Sequence, residues 1–294
     1  LAQMLSRFVF VLLTALVTTS AFAPASLAQE AAPSVGQVSP LEARFAAAER
    51  DPAQVVPLIF EVSAHIPTID AAAGHALADR LEPFARRAFF SPEALPGQER
   101  LGFIQHKVAS GELPGAIAKR HRFGAGLFKY WNAGFDERRI GAGKELKLLD
   151  LSQRTLQVIV DKQRFRVSVW IQVPSGEWLL AMYVPVGVGA ADSPTPSGVT
   201  SVTSRVREPQ WTHPKTREVF PHGHPENVLG GYWIALDSAP LGGRTGIGLH
   251  GYTGAPAPDW IERGASNGCI RMLQPDIDRL FEIALEGVKV TLAP

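Results

Sequence analysis

Three runs, at residues 156–160, 165–171 and 178–186, constrain this chain most. Each carries apolar residues at alternate positions, as strands half-buried in a sheet require. Ser175-Gly176, between the second and third, is a hairpin-turn signal. Turn-rich sequence at 187–198 (GVGAADSPTPSG) and short apolar runs at 230–236, 246–250 and 288–292 extend the β pattern. One segment here has helical spacing. Within 275–286, Ile277, Leu280, Phe281, Ala284 and Leu285 fall on one stripe, and Gly287 suits its C-cap.

The first half reads differently. Leu41, Phe45 and Ala48 recur at helix spacing, as do Leu77, Leu81, Phe84 and Ala88. Asp51-Pro52 and Ile66-Pro67 break the pattern, because proline cannot continue a helix through the preceding turn. Residues 41–100 are therefore expected to be a small set of packed helices, with His65 and His75 structural or solvent-facing. Residues 29–40 (QEAAPSVGQVSP) read as a linker. Before it, Arg7, the apolar run 8–17 and Ser26-Leu27-Ala28 form the pattern of a secretory signal over residues 1–28, removed before Gln29. That run falls short of the ~20 residues of a membrane span. No span is expected once it is cleaved. Without Arg7 the chain carries 28 basic and 28 acidic residues, so nothing favours nucleic acid or an anionic surface. At 46% hydrophobic and 19% charged, 294 residues can bury a core over roughly two domains.

Cys269 is the only cysteine. An exported chain with a single thiol cannot form an internal disulfide, so the thiol is an accident, an intermolecular link or a nucleophile. Its setting favours the last. A nucleophilic thiol needs a base, an uncrowded approach and donors for the charge developing on the attacked carbonyl. Gly268 clears the approach, and backbone N–H groups around it could form an oxyanion site. His250 lies nineteen residues upstream, too far for a local contact, so a loop must close onto a strand end to unite them. His213, His222 and His224 resemble chelators, but no Cys, Asp or Glu is spaced to complete a metal site. Their neighbours Pro214, Pro221 and Pro225 suggest a substrate-flanking loop. Gly242-Gly243 lies in a turn context, not between strand and helix, and no cofactor is expected.

The order His250, fifteen residues, then Ser266-Asn267-Gly268-Cys269-Ile270-Arg271 resembles the signature of the YkuD family of L,D-transpeptidases. Asn267 stands where that signature usually has a second histidine. Thr195-Pro196-Ser197-Gly198 is similar to the family's T-P-x-G motif. The resemblance implies an α+β chain whose residues 151–294 form a mostly antiparallel β-sandwich or barrel-like catalytic domain. It implies Cys269 as nucleophile and His250 as base, with the Gly251 carbonyl orienting the imidazole. Ser266, Asn267 and Gly268 would support the loop or an oxyanion, and Arg271 would bind a substrate carboxylate. The reaction implied is attack on a tetrapeptide stem of peptidoglycan at its third residue, releasing D-Ala and passing the acyl group to an amine. The acceptor amine would belong to another stem or to a cell-envelope protein. Carbapenems should acylate the same thiol. A carboxypeptidase using water, or a wall-binding protein without turnover, are the alternatives. Residues 101–150 are similar to a LysM module, with Ile117-Ala118-Lys119, then Asn132, then Ile140 to Leu146; such modules bind wall glycan.

Overall fold

The prolines divide the helical stretch where they should. In the computed structural model, which describes residues 40–213 and 216–294, helices α1 (Pro40–Arg50), α2 (Val55–His65) and α3 (Ala71–Phe89) are separated by 3-10 turns at Pro52–Gln54 and Ile66–Thr68. Asp51 and Asp70 cap the segments that follow them, each accepting a backbone N–H two or three residues on. The expected signal, all but the last residue of the expected linker, and Pro214 lie outside the described residues.

Residues 101–150 contain β1 (Phe103–Lys107), α4 (Pro114–Arg120), the single-turn α5 (Phe128–Trp131) and β2 (Glu145–Leu149), with β1 and β2 paired antiparallel. The Asn132 side chain fastens the end of α5 to β2. Its amide donates to the carbonyls of Phe128 and Lys147 and its oxygen accepts from Lys147 N–H.

The rest of the chain is built on β3 (Leu156–Asp161), β4 (Arg166–Gln172), β5 (Trp178–Gly189), β6 (Gly198–Arg207), β7 (Trp211–Thr212), β8 (Val219–Phe220), β9 (Leu229–Leu236), β10 (Gly248–Tyr252), β11 (Gly264–Ser266), β12 (Ile270–Met272) and β13 (Lys289–Ala293). The main sheet runs β11-β5-β12-β10-β9-β6-β13-β3-β4, and β4 also pairs with β5, which closes it into a barrel. Most pairs are antiparallel; β3–β13, β5–β11 and β10–β12 are parallel. The fold class is thus the expected one: α+β, with a closed, mostly antiparallel sheet. β7 and β8 pair only with each other.

Two details depart from the sequence reading. The run 178–186 does not alternate in burial, since Leu179 to Val184 are all buried. Helices α2 and α3 pack on this strand, so both its faces are covered, and an apolar run of that kind suits it. Helix α6 (Gln274–Ile283) stops short of its expected end. Ala284 leaves helical geometry, and Gly287, at φ 85°, turns the chain into β13 instead of capping the helix.

Residues 40–294 form one unit with a continuous core. Ser63 Oγ accepts from Leu180 N–H at 3.0 Å, Trp131 Nε1 donates to the Phe89 carbonyl at 2.7 Å, and Gly124 N–H donates to the Glu282 carbonyl at 2.6 Å.

Candidate active site

Parallel neighbours in a sheet need a connection of a dozen residues or more. This is the physical meaning of the His250-to-Cys269 spacing. Residues 253–269 leave β10, cross over with β11 added beside β5, and return as β12 alongside β10. His250 sits in the middle of β10, not at a strand end, and pairs in register with Arg271. Paired residues share a face, and side chains alternate with period two. His250, Tyr252, Arg271 and, one pleat back from Arg271, Cys269 therefore face the same way.

Hydrogen bonds hold the sulfur against the start of β10. The thiol donates to the Gly246 carbonyl at 3.2 Å and accepts from Gly248 N–H. One pleat, about 6–7 Å of backbone, separates that level from His250. Cys269 is half-buried, and burial pushes its thiol pKa up. Gly248 N–H and the charges of Arg271 and Arg244 pull the other way without overcoming it. In the resting site the thiol therefore stays protonated.

His250 is 4% exposed, and burial lowers its pKa to about 4. Its Nδ1–H donates to the Gly251 carbonyl at 2.5 Å, the partner expected for it. A carbonyl only accepts, so this bond leaves the Nε2 lone pair free. Trp233, the cross-strand partner on β9, stacks on the imidazole with centroids 5.6 Å apart. The site therefore holds a neutral thiol and a neutral imidazole.

The loop before Cys269 is tied from several sides. Ser266, 4% exposed, donates to the Cys269 carbonyl at 2.6 Å and accepts from Gly268 N–H at 3.0 Å. Ser266 thus supports the loop. The same bond corrects one expectation: Gly268 N–H is already taken and is not a free oxyanion donor. Gly268 has φ 110°, and a Cβ there would lie 2.7 Å from Arg244 Nη2, so only glycine fits. Asn267 is exposed and contributes its carbonyl to Arg244 at 3.0 Å. Thr195, from the T-P-x-G stretch, donates to the Gly268 carbonyl at 2.8 Å and accepts from Gly189 N–H at 2.9 Å. The Arg271 guanidinium lies 3.7 Å over the Tyr252 ring, and Tyr252 meets Trp260 edge-on.

Trp233, Tyr252 and Arg244 escaped the sequence reading, and Thr195 entered it only as part of the T-P-x-G stretch. They come from other strands and loops, and no local spacing links them to Cys269. Of the three histidines, His213 and His224 each accept a backbone N–H through Nδ1, beside β7 and β8, which pair with each other and not with the main sheet.

Residues 155–292 match the profile of the YkuD L,D-transpeptidase catalytic domain. The chain is 31% identical over 107 residues to "Putative L,D-transpeptidase YqjB" of Bacillus subtilis (strain 168), covering 36% of this chain and 56% of that one. It is 26% identical over 216 residues to "Probable L,D-transpeptidase YcfS" of Escherichia coli (strain K12), covering 67% and 63%. It thus spans less than two thirds of either relative's length. Among solved structures, L,D-transpeptidase 3 from Mycobacterium tuberculosis in complex with a faropenem-derived adduct is 16% identical with a TM-score of 0.36, over 52% of this chain and 66% of that one. Residues 155–292, a little under half of the chain, thus carry a YkuD-type L,D-transpeptidase catalytic domain.

Proposed function

We propose that this protein is a cysteine-dependent peptidoglycan L,D-transpeptidase with Cys269 as nucleophile and His250 as general base. The observation that carries the proposal is the β10–β12 register, which puts the one thiol and a neutral imidazole on one face. Cys269 Sγ attacks the carbonyl of the third residue of a tetrapeptide stem while its proton passes to His250 Nε2. The same proton then goes to the departing amine of D-Ala, and a thioester remains. An acceptor amine attacks the thioester and gives its proton to Nε2; the sulfur leaves and recovers a proton from the imidazole. Ser266, Thr195 and Gly268 keep the nucleophile loop in place, and Arg271, held flat on Tyr252, binds a stem carboxylate bidentately.

Residues 1–28 act as an export signal in this scheme, and peptidoglycan is met outside the cytoplasmic membrane. Among the described residues no helix is long and apolar enough to cross a membrane. Residues 101–150 are a candidate glycan-binding segment, and the order helix, helix, strand found there supports it.

Incubation with a carbapenem followed by intact-protein mass spectrometry tests the nucleophile. Wild-type protein gains the mass of one inhibitor, and Cys269→Ala gains none. An adduct on Cys269→Ala would overturn the assignment. Defined muropeptides then separate transfer to an amine, which yields dimers, from transfer to water, which yields tripeptides.

A further inference from the structure

Arg244 has no part in the expected motif, yet its guanidinium lies against the residue that precedes the nucleophile. Three of its donors are engaged, and all three partners are uncharged: the Pro194 carbonyl, Ser193 Oγ at 2.7 Å and the Asn267 carbonyl at 3.0 Å. A guanidinium has five N–H donors, so two remain. Elsewhere this protein pairs several of its arginines with acids, as in Arg87–Glu93, Arg166–Asp79 and Arg279–Asp276. At the nucleophile it does not. Among the described residues, no carboxylate lies within ion-pair distance of Arg244 or Arg271. Two uncompensated cations beside one neutral thiol form a site whose charge the ligand must balance.

We propose that Arg244 is a specificity residue that binds a second carboxylate of the donor stem, on the acyl side of the bond broken, while Arg271 takes the carboxylate of the departing D-Ala. This rests on the transpeptidase reading above. A tetrapeptide stem offers two acyl-side carboxylates: the free α-carboxylate of a γ-linked D-Glu at position two, and the side-chain carboxylate of a diamino acid such as diaminopimelate at position three. The binding chemistry is the same for both, a charge-assisted hydrogen bond from a free guanidinium N–H, at Nε or Nη1, to a carboxylate oxygen. Pro194, Ser193 and Asn267 fix the guanidinium, so these remaining donors are oriented before a ligand arrives.

Binding is measured on Cys269→Ala, so that turnover does not enter. The donors are the diaminopimelate tetrapeptide, the same peptide amidated at the position-two carboxylate, and the same peptide amidated at the position-three side chain. One of the two amidations is expected to weaken binding about 10- to 100-fold, the range of a lost charge-assisted contact, and it identifies which carboxylate Arg244 reads. In Cys269→Ala/Arg244→Gln that discrimination disappears, and in Cys269→Ala/Arg244→Lys it returns in part. A merely structural role would weaken all three donors alike. Equal affinity for the three donors, discrimination that survives Arg244→Gln, or no binding of any donor overturns the proposal. Carbapenem acylation of the wild-type thiol is read separately, so failure of the carboxylate assignment is distinguishable from failure of the transpeptidase reading.

Discussion

Trp233 on one side and the strand backbone around it enclose the His250 ring, and burial there holds the imidazole neutral down to about pH 4. In an unfolded chain the same ring protonates near its ordinary value of about 6.5. As pH falls between these values the unfolded state binds the proton and the folded state does not, so the fold loses stability. Above about pH 6.5 that contribution is fully present; below about pH 4 it is gone. The total is about 3 kcal/mol. Urea unfolding from pH 7 to pH 4 should show this loss, and His250→Gln should remove it from the profile, leaving only the part owed to other groups. Cys269 and His250 were legible because each stands in a local motif. Trp233 and Arg244 were not, since what places them beside that pair is sheet closure and a loop contact.

The crossover from β10 to β12 carries Trp260, whose backbone lies so close to Gly187 of β5 that no side chain fits there. Arg166 on β4 clasps this connection. Its guanidinium pairs with Glu262 of the loop and, at 3.2 Å, with Asp79 of α3. Glu262 itself has φ 54°, a left-handed conformation uncommon for a non-glycine residue. The helical segment is thus joined to the loop that leads to Cys269. Arg166→Ala should leave the barrel intact and speed amide hydrogen exchange across 253–263. Exchange that does not change there would show that Trp260 and the backbone bonds of Glu262 and Arg263 to β5 hold the loop without the clasp. This clasp could not have been foreseen from composition, as charged pairs between distant segments leave no periodic trace. Strand and helix positions were legible to within a few residues. The misread burial of β5 has one cause: alternation assumes one wet face, and α2 and α3 cover the second.

Over the whole molecule, helices, the β1–β2 segment and barrel share one core, and each supplies polar partners the others lack. Without Ser63, the Leu180 amide loses its acceptor; without α2 and α3, the outer face of β5 is bare. A chain beginning at residue 151 should therefore fail to give a cooperative thermal transition and should bind a hydrophobic dye, although it contains all of 155–292. A cooperative transition at the full chain's midpoint would mean the helices merely decorate the barrel. Periodicity, proline breaks and one ordered His-to-Cys motif were enough to read the α+β class, the helical segments and the candidate His–Cys pair, because each is written in neighbouring residues. The protonation state of that pair, the unavailability of Gly268 N–H, the second arginine and the joining of the helices to the loop before Cys269 depend on burial and on contacts between distant residues. Those arise only when the chain closes on itself, since desolvation and cross-strand approach have no counterpart in local sequence.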